Sequence, residues 1–160
     1  MAPPRWAERA LPVSMVVLRY TGMPTAEEAL ARLCDPAAKV SAHYMIDEDG
    51  TVIQLVDEDK RAWHAGKSYW RGVTDINSAS VGIELVNPGH EWGYRPFPDA
   101  QMEALVPLLA DIVKRHDVPR ANVLGDRRSH RADGPSASDQ HVFADHVPLQ
   151  RRVRGVAERV

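Results

Sequence analysis

The chain has 160 residues, 44% of them apolar and 26% charged, which is enough for one domain with its own core. That balance excludes a chain that stays disordered throughout. The formal net charge of -2 gives no electrostatic footing for nucleic acid or for an anionic membrane surface.

In chain order, "MAPPRWAERALPVS" comes first and lacks the continuous apolar stretch of an export signal. No later window approaches the roughly 18 apolar residues of a membrane span, so the reading is a soluble cytoplasmic protein. Val13 to Tyr20 is β-rich and ends at Thr21-Gly22, which predicts a strand. "PTAEEALARL" follows as a short helix, with Thr25 and Glu28 in capping-box spacing and Leu30 and Leu33 on one face. Cys34, just beyond, is the single cysteine, so no internal disulfide forms. "SAHYMIDEDGTVIQLV" places two β-type runs on either side of Asp49-Gly50, a dipeptide suited to a tight hairpin turn.

Residues 57 to 78 are polar, rich in Trp and Gly, and too irregular for one element, which reads as a long functional loop on a rigid sheet. "ASVGIELVN" is a short apolar run bounded by polar residues, as expected of a central strand buried on both faces. From Asp99 to His116 apolar residues recur at helical spacing, predicting a long amphipathic helix that Pro107 should kink. After Gly125 the periodicity is lost, and "VPLQRRVRGVAERV" reads as a weak basic helix or a frayed tail. Neither repeats nor a second domain are visible; the core spans 13–125 and a divergent segment spans 126–160.

Glu84 stands in the middle of the apolar "VGIELV" run, where burying an ionised carboxylate costs several kcal/mol unless donors or a cation meet it. It is either a functional carboxylate or half of a structural ion pair, with Arg19 as the natural partner. His43 in "SAHYMI" reads as a core histidine or a site residue. His64 in "RAWHAGK" sits in a loop where no pattern calls for burial, and an imidazole there can donate to a substrate or transfer protons. Trp63, Trp70 and Trp92 either stack on a ligand or close the core.

The segments "VVLRYTGM", "AKVSAHYMIDEDGTVIQLVDEDKRAWHAGKSYWRG" and "DINSASVGIELVNPGHEWGYRPFPDAQMEAL" resemble the zinc-dependent N-acetylmuramoyl-L-alanine amidases of the type 2 family. The group includes muropeptide-recycling and phage amidases and is related to peptidoglycan recognition proteins. The resemblance implies an α/β domain, a mixed central sheet flanked by helices. It implies hydrolysis of the amide between N-acetylmuramic acid and L-alanine in peptidoglycan fragments, with no protein partner. It also implies a Zn²⁺ cofactor, with Glu84 as general base and His43, His64, Trp63 and Asn77 binding substrate.

One position departs from the family. The histidine that supplies the family's first zinc ligand in "LHYTG" is Arg19 here, and a guanidinium offers donors only. His130 and Asp139 are the candidate remaining ligands, in a segment that matches the family pattern poorly. The alternative reading is therefore a metal-free protein that binds muropeptides without cleaving them.

Overall fold

The apolar runs become the strands of one sheet in the computed structural model, which describes residues 5–125 and 141–142. The elements in chain order are β1 (Ala7–Glu8), β2 (Met15–Tyr20), α1 (Ala26–Cys34), β3 (Tyr44–Ile46) and β4 (Val52–Gln54). Then come β5 (Lys60–Arg61), β6 (Ser68–Tyr69), α2 (Ile76–Ala79), β7 (Ser80–Leu85), α3 (Gly89–Trp92), α4 (Asp99–His116), β8 (Val123–Gly125) and β9 (His141–Val142). Residues 126–140 and 143–160, and with them His130 and Asp139, lie outside the described residues.

Local chemistry accounts for the boundaries. The Thr25 hydroxyl accepts from the Glu28 N–H at 3.2 Å and so caps α1. The β3–β4 hairpin turns at Gly50, whose φ of 90° suits glycine. A Cβ there would also lie 2.8 Å from the Ala100 carbonyl oxygen, so the turn packs directly against the start of α4. α4 runs without a break through Pro107 and ends at Asp117, which takes the left-handed conformation and returns its N–H to the Val113 carbonyl. Lys114, Arg115 and His116 occupy its last turn, where the helix dipole favours cations. The long loop differs from its expectation in carrying short elements of its own, β5, β6 and α2, each too brief to leave a periodic signature.

The main sheet has the order β4-β3-β7-β2-β8, parallel except for β4. β7 is buried along its whole length, Glu84 included, as expected of a central strand covered on both faces. Alternation along the strands divides the core in two. Val16, Leu18, Val81, Ile83, Leu85, Tyr44 and Ile46 face α4. Met15 and Val17 point to the opposite face, where Ala65, Ile76 and Ala79 of the long loop cover them. Period two puts Arg19 of β2 and Ser80, Gly82 and Glu84 of β7 on that second face.

Two polar clusters hold the loops to this frame. Gln101 of α4 is fully buried and donates Nε2–H to the carbonyls of Ile46 and Val86, at 2.9 and 3.0 Å, where β3 ends and β7 has just ended. The Glu58 carboxylate accepts from Tyr44 Oη at 2.6 Å, from Arg115 at 2.7 and 3.0 Å, and from His116. Burial alone would raise the Glu58 carboxyl, but these donors outweigh it and hold it down at about 2. The C-terminal turn of α4 is thereby tied to the loop after β4.

Replacing Gln101 with Ala strips the donor from two buried carbonyls and leaves a void. The expected loss is roughly 2 to 4 kcal/mol of unfolding free energy, read from urea denaturation of the variant against the parent chain.

Candidate active site

β2 and β7 are paired in parallel with Arg19 opposite Glu84, and Glu84 is paired on its other side with Met45 of β3. Arg19 is 8% exposed and Glu84 9%, so an arginine and a glutamate lie side by side on one sheet face, near the carboxyl ends of parallel strands. Ligands of α/β sheets commonly bind at that end of the strands. Both residues make polar interactions with their surroundings.

Two and four residues back along the same face of β7, at Gly82 and Ser80, stand the two histidines. The Gly82 N–H donates to His43 Nδ1 at 2.9 Å, so that nitrogen is the acceptor and Nε2 carries the hydrogen. Nε2–H then donates to the Lys60 carbonyl at 2.8 Å. Arg9 Nη2 stands 2.9 Å from the same nitrogen. Since both are donors in this tautomer, Arg9 contributes charge there rather than a hydrogen bond. Burial, with help from the Arg9 charge, pushes His43 down to about 4, although the Lys60 carbonyl pulls the other way.

His64 lies against the same glycine. A Cβ on Gly82 would fall 2.4 Å from His64 Cγ, so the imidazole can occupy its place only because that side chain is missing. The two rings meet edge to face with centroids 5.8 Å apart. Ser80 Oγ donates its one hydrogen to the Ile76 carbonyl at 2.6 Å and so accepts from His64 Nε2–H at 3.2 Å. Among the described residues, His64 Nδ1 is left as a buried lone pair with no hydrogen-bond donor. Burial, then His43 and then the Arg19 charge hold this imidazole well below the usual histidine range. Arg19 is therefore electrostatically coupled to His64.

The loop that carries His64 is fixed by side chains. Asn77 Oδ1 accepts from the N–H groups of His64 and Ala65 at 2.9 and 2.8 Å. Ser41 exchanges two bonds with the Trp63 backbone and passes its hydroxyl hydrogen to the Arg5 carbonyl. Asp75 caps α2 and pairs with Arg61 at 3.1 Å. Arg9 reaches the carbonyls of Glu58 and Ser78 at 2.7 and 2.5 Å.

The sequence-derived candidates are thus brought together, but not in the expected manner. His43 is 0% and His64 3% exposed, and their bonding nitrogens serve the protein itself. Among the described residues both imidazoles pack against β7, at Gly82 and Ser80. Asn77 likewise spends its oxygen on the loop backbone, and Trp63 is half-buried there. Sequence reasoning missed Arg9 and Ser80, which carry no local signal, and Gly82, whose signal was a glycine inside a strand pattern.

A profile of the N-acetylmuramoyl-L-alanine amidase family matches residues 9–142. The amidase AmiD of Escherichia coli K12 is 37% identical over 82% of this chain and 52% of its own length. The 1,6-anhydro-N-acetylmuramyl-L-alanine amidase AmpD of Enterobacter cloacae is 40% identical over 54% and 44%. The solved complex of E. coli AmiD with anhydro-N-acetylmuramic acid-L-Ala-D-gamma-Glu-L-Lys superposes with a TM-score of 0.69 at 33% identity, covering 91% of this chain and 58% of that one. AmpDh3 of Pseudomonas aeruginosa gives 0.70 at 26% identity, over 91% and 59%. The chain spans about half the length of the relatives it matches first.

Neutral histidines in the core make stability depend on pH. Between about 6.5 and 4 the unfolded chain binds a proton at His43 that the folded chain does not, so stability falls as pH drops through that window. The expected loss is on the order of 3 kcal/mol, with His64 adding to the same slope and Glu58 extending it from about 4.5 down to about 2. Urea midpoints measured from pH 8 to 4 should show this decline, and a shallower one in His43→Gln.

Proposed function

Because the chain belongs to the N-acetylmuramoyl-L-alanine amidase family, we propose that it acts on muropeptides and hydrolyses the amide joining N-acetylmuramic acid to L-alanine. The observation that carries this is Glu84, a carboxylate buried in the central strand on the loop-covered face, with Arg19 beside it in register. In the proposed reaction Glu84 takes a proton from water as its oxygen attacks the lactyl carbonyl carbon. The C–N bond then breaks, and the same proton passes to the departing alanine nitrogen. Arg19 faces the oxygen on which negative charge develops. His43, His64 and Asn77 act through position: they fix the loop and strand that bound the site, and Trp63 lies on that loop.

Zinc is the family's cofactor, and when bound it polarises the carbonyl and acidifies a water. Among the described residues no three His, Cys, Asp or Glu side chains are grouped to hold a metal ion. Three of the four histidine nitrogens on this face are bonded within the protein, and the fourth is enclosed against Gly82. The donor set of the described residues does not fit the ion. The buried Arg19 is the observation behind a second reading, a protein that binds muropeptides without cleaving them.

Glu84→Gln is isosteric and separates the two. In a hydrolase it should lower release of the L-alanyl peptide by about 10²- to 10⁴-fold while leaving ligand affinity in place, measured by chromatography of the products and by calorimetry. A parent chain that binds muropeptide and releases no peptide selects the second reading.

A further inference from the structure

We propose that Arg19 keeps this face of the sheet metal-free, its guanidinium supplying in place of a divalent cation the positive charge that meets an oxygen of the ligand. The inference rests on the muropeptide reading above for the identity of that ligand.

Arg19 is on the loop-covered face of β2, directly opposite Glu84 in the parallel register, and at 8% exposure it is held in the wall of the site rather than swung into solvent. Glu84 is a carboxylate of that face, and a divalent ion bound by it would sit within about one strand spacing, roughly 5 Å, of a guanidinium. At such distances in a partly desolvated site, repulsion between like charges is several times what it is in water. The guanidinium stays protonated throughout the accessible pH range and presents N–H groups only, so it cannot step aside by titrating or by turning a lone pair to the ion.

Among the described residues the neighbours do not compensate. His43 is committed at both nitrogens, to the Gly82 N–H and the Lys60 carbonyl. His64 is committed to Ser80 at Nε2, and its Nδ1 is enclosed against the glycine. Freeing either imidazole would break a bond that fixes the sheet face. What the face retains is a planar cation with several donors beside a carboxylate. That combination suits a carbonyl or carboxylate oxygen next to an N–H, which is the local chemistry of a peptide amide.

The test uses the full chain. After incubation with Zn²⁺ and desalting, metal content by mass spectrometry should be far below one ion per chain. Zinc affinity should rise at least about 10- to 100-fold in Arg19→His, the range that even an outer partner of a metal ligand commands. Binding of N-acetylmuramoyl-L-alanyl-D-isoglutamine, followed by calorimetry, should be unchanged by EDTA. It should be roughly tenfold weaker in Arg19→Gln and largely restored in Arg19→Lys. One zinc per parent chain overturns the proposal, as does an Arg19→His variant that folds and gains no zinc, or EDTA-sensitive ligand binding. Failure of the parent chain to bind the muropeptide, with the zinc results as expected, removes the functional reading and leaves the exclusion of metal standing.

Discussion

The inner face of the sheet depends on Gly82 having no side chain. Its N–H fixes His43 in one tautomer, and its bare Cα gives His64 the room to lie against β7. A single residue thus serves as hydrogen-bond donor to one imidazole and as floor for another. Both rings are kept neutral by burial, so the imidazoles add no charge of their own beside Arg19 and Glu84 at neutral pH. Glu84 and Arg19, one register position further along, take their places on top of that packing.

Around this centre the irregular segments are attached by side chain to backbone bonds, because loops have no ladder of their own. Arg9 joins the N-terminal segment to the carbonyls of Glu58 and Ser78. Asn77 holds the two N–H groups at His64 and Ala65, and Gln101 holds two carbonyls at the ends of strands. Each buried polar atom left without its partner would cost about 1 to 3 kcal/mol. The long loop is therefore anchored at several points to the sheet it covers, which is what a site built on loop residues needs.

Much of the fold was legible because period and punctuation agree with tertiary structure. Thr25 and Glu28 predicted the start of α1, Asp49-Gly50 predicted the hairpin, and the stripe from Asp99 to His116 is α4 to the residue. The loop was legible only as a loop, because β5, β6 and α2 are two to four residues long. At the site, residue identity carried further than residue environment. Glu84 stood out because a carboxylate is costly in an apolar run, and Arg19 stood out by its contrast with related sequences. That His43 and His64 turn inward was not legible. The decisive facts are a missing Cβ at Gly82 and acceptors at Lys60 and Ser80, which come together only in space.

The strand order has a consequence for how the domain is made. β2 is the first strand of the main sheet to leave the ribosome, yet its two neighbours, β7 and β8, begin at Ser80 and Val123. During synthesis it therefore waits, an apolar segment with both edges open until β7 is made and one edge open until β8 follows. Arg19 travels with it and meets Glu84 only when β7 docks. Folding is thus weighted toward distant pairings, which are slow to close, and the charged pair of the site is completed late rather than early.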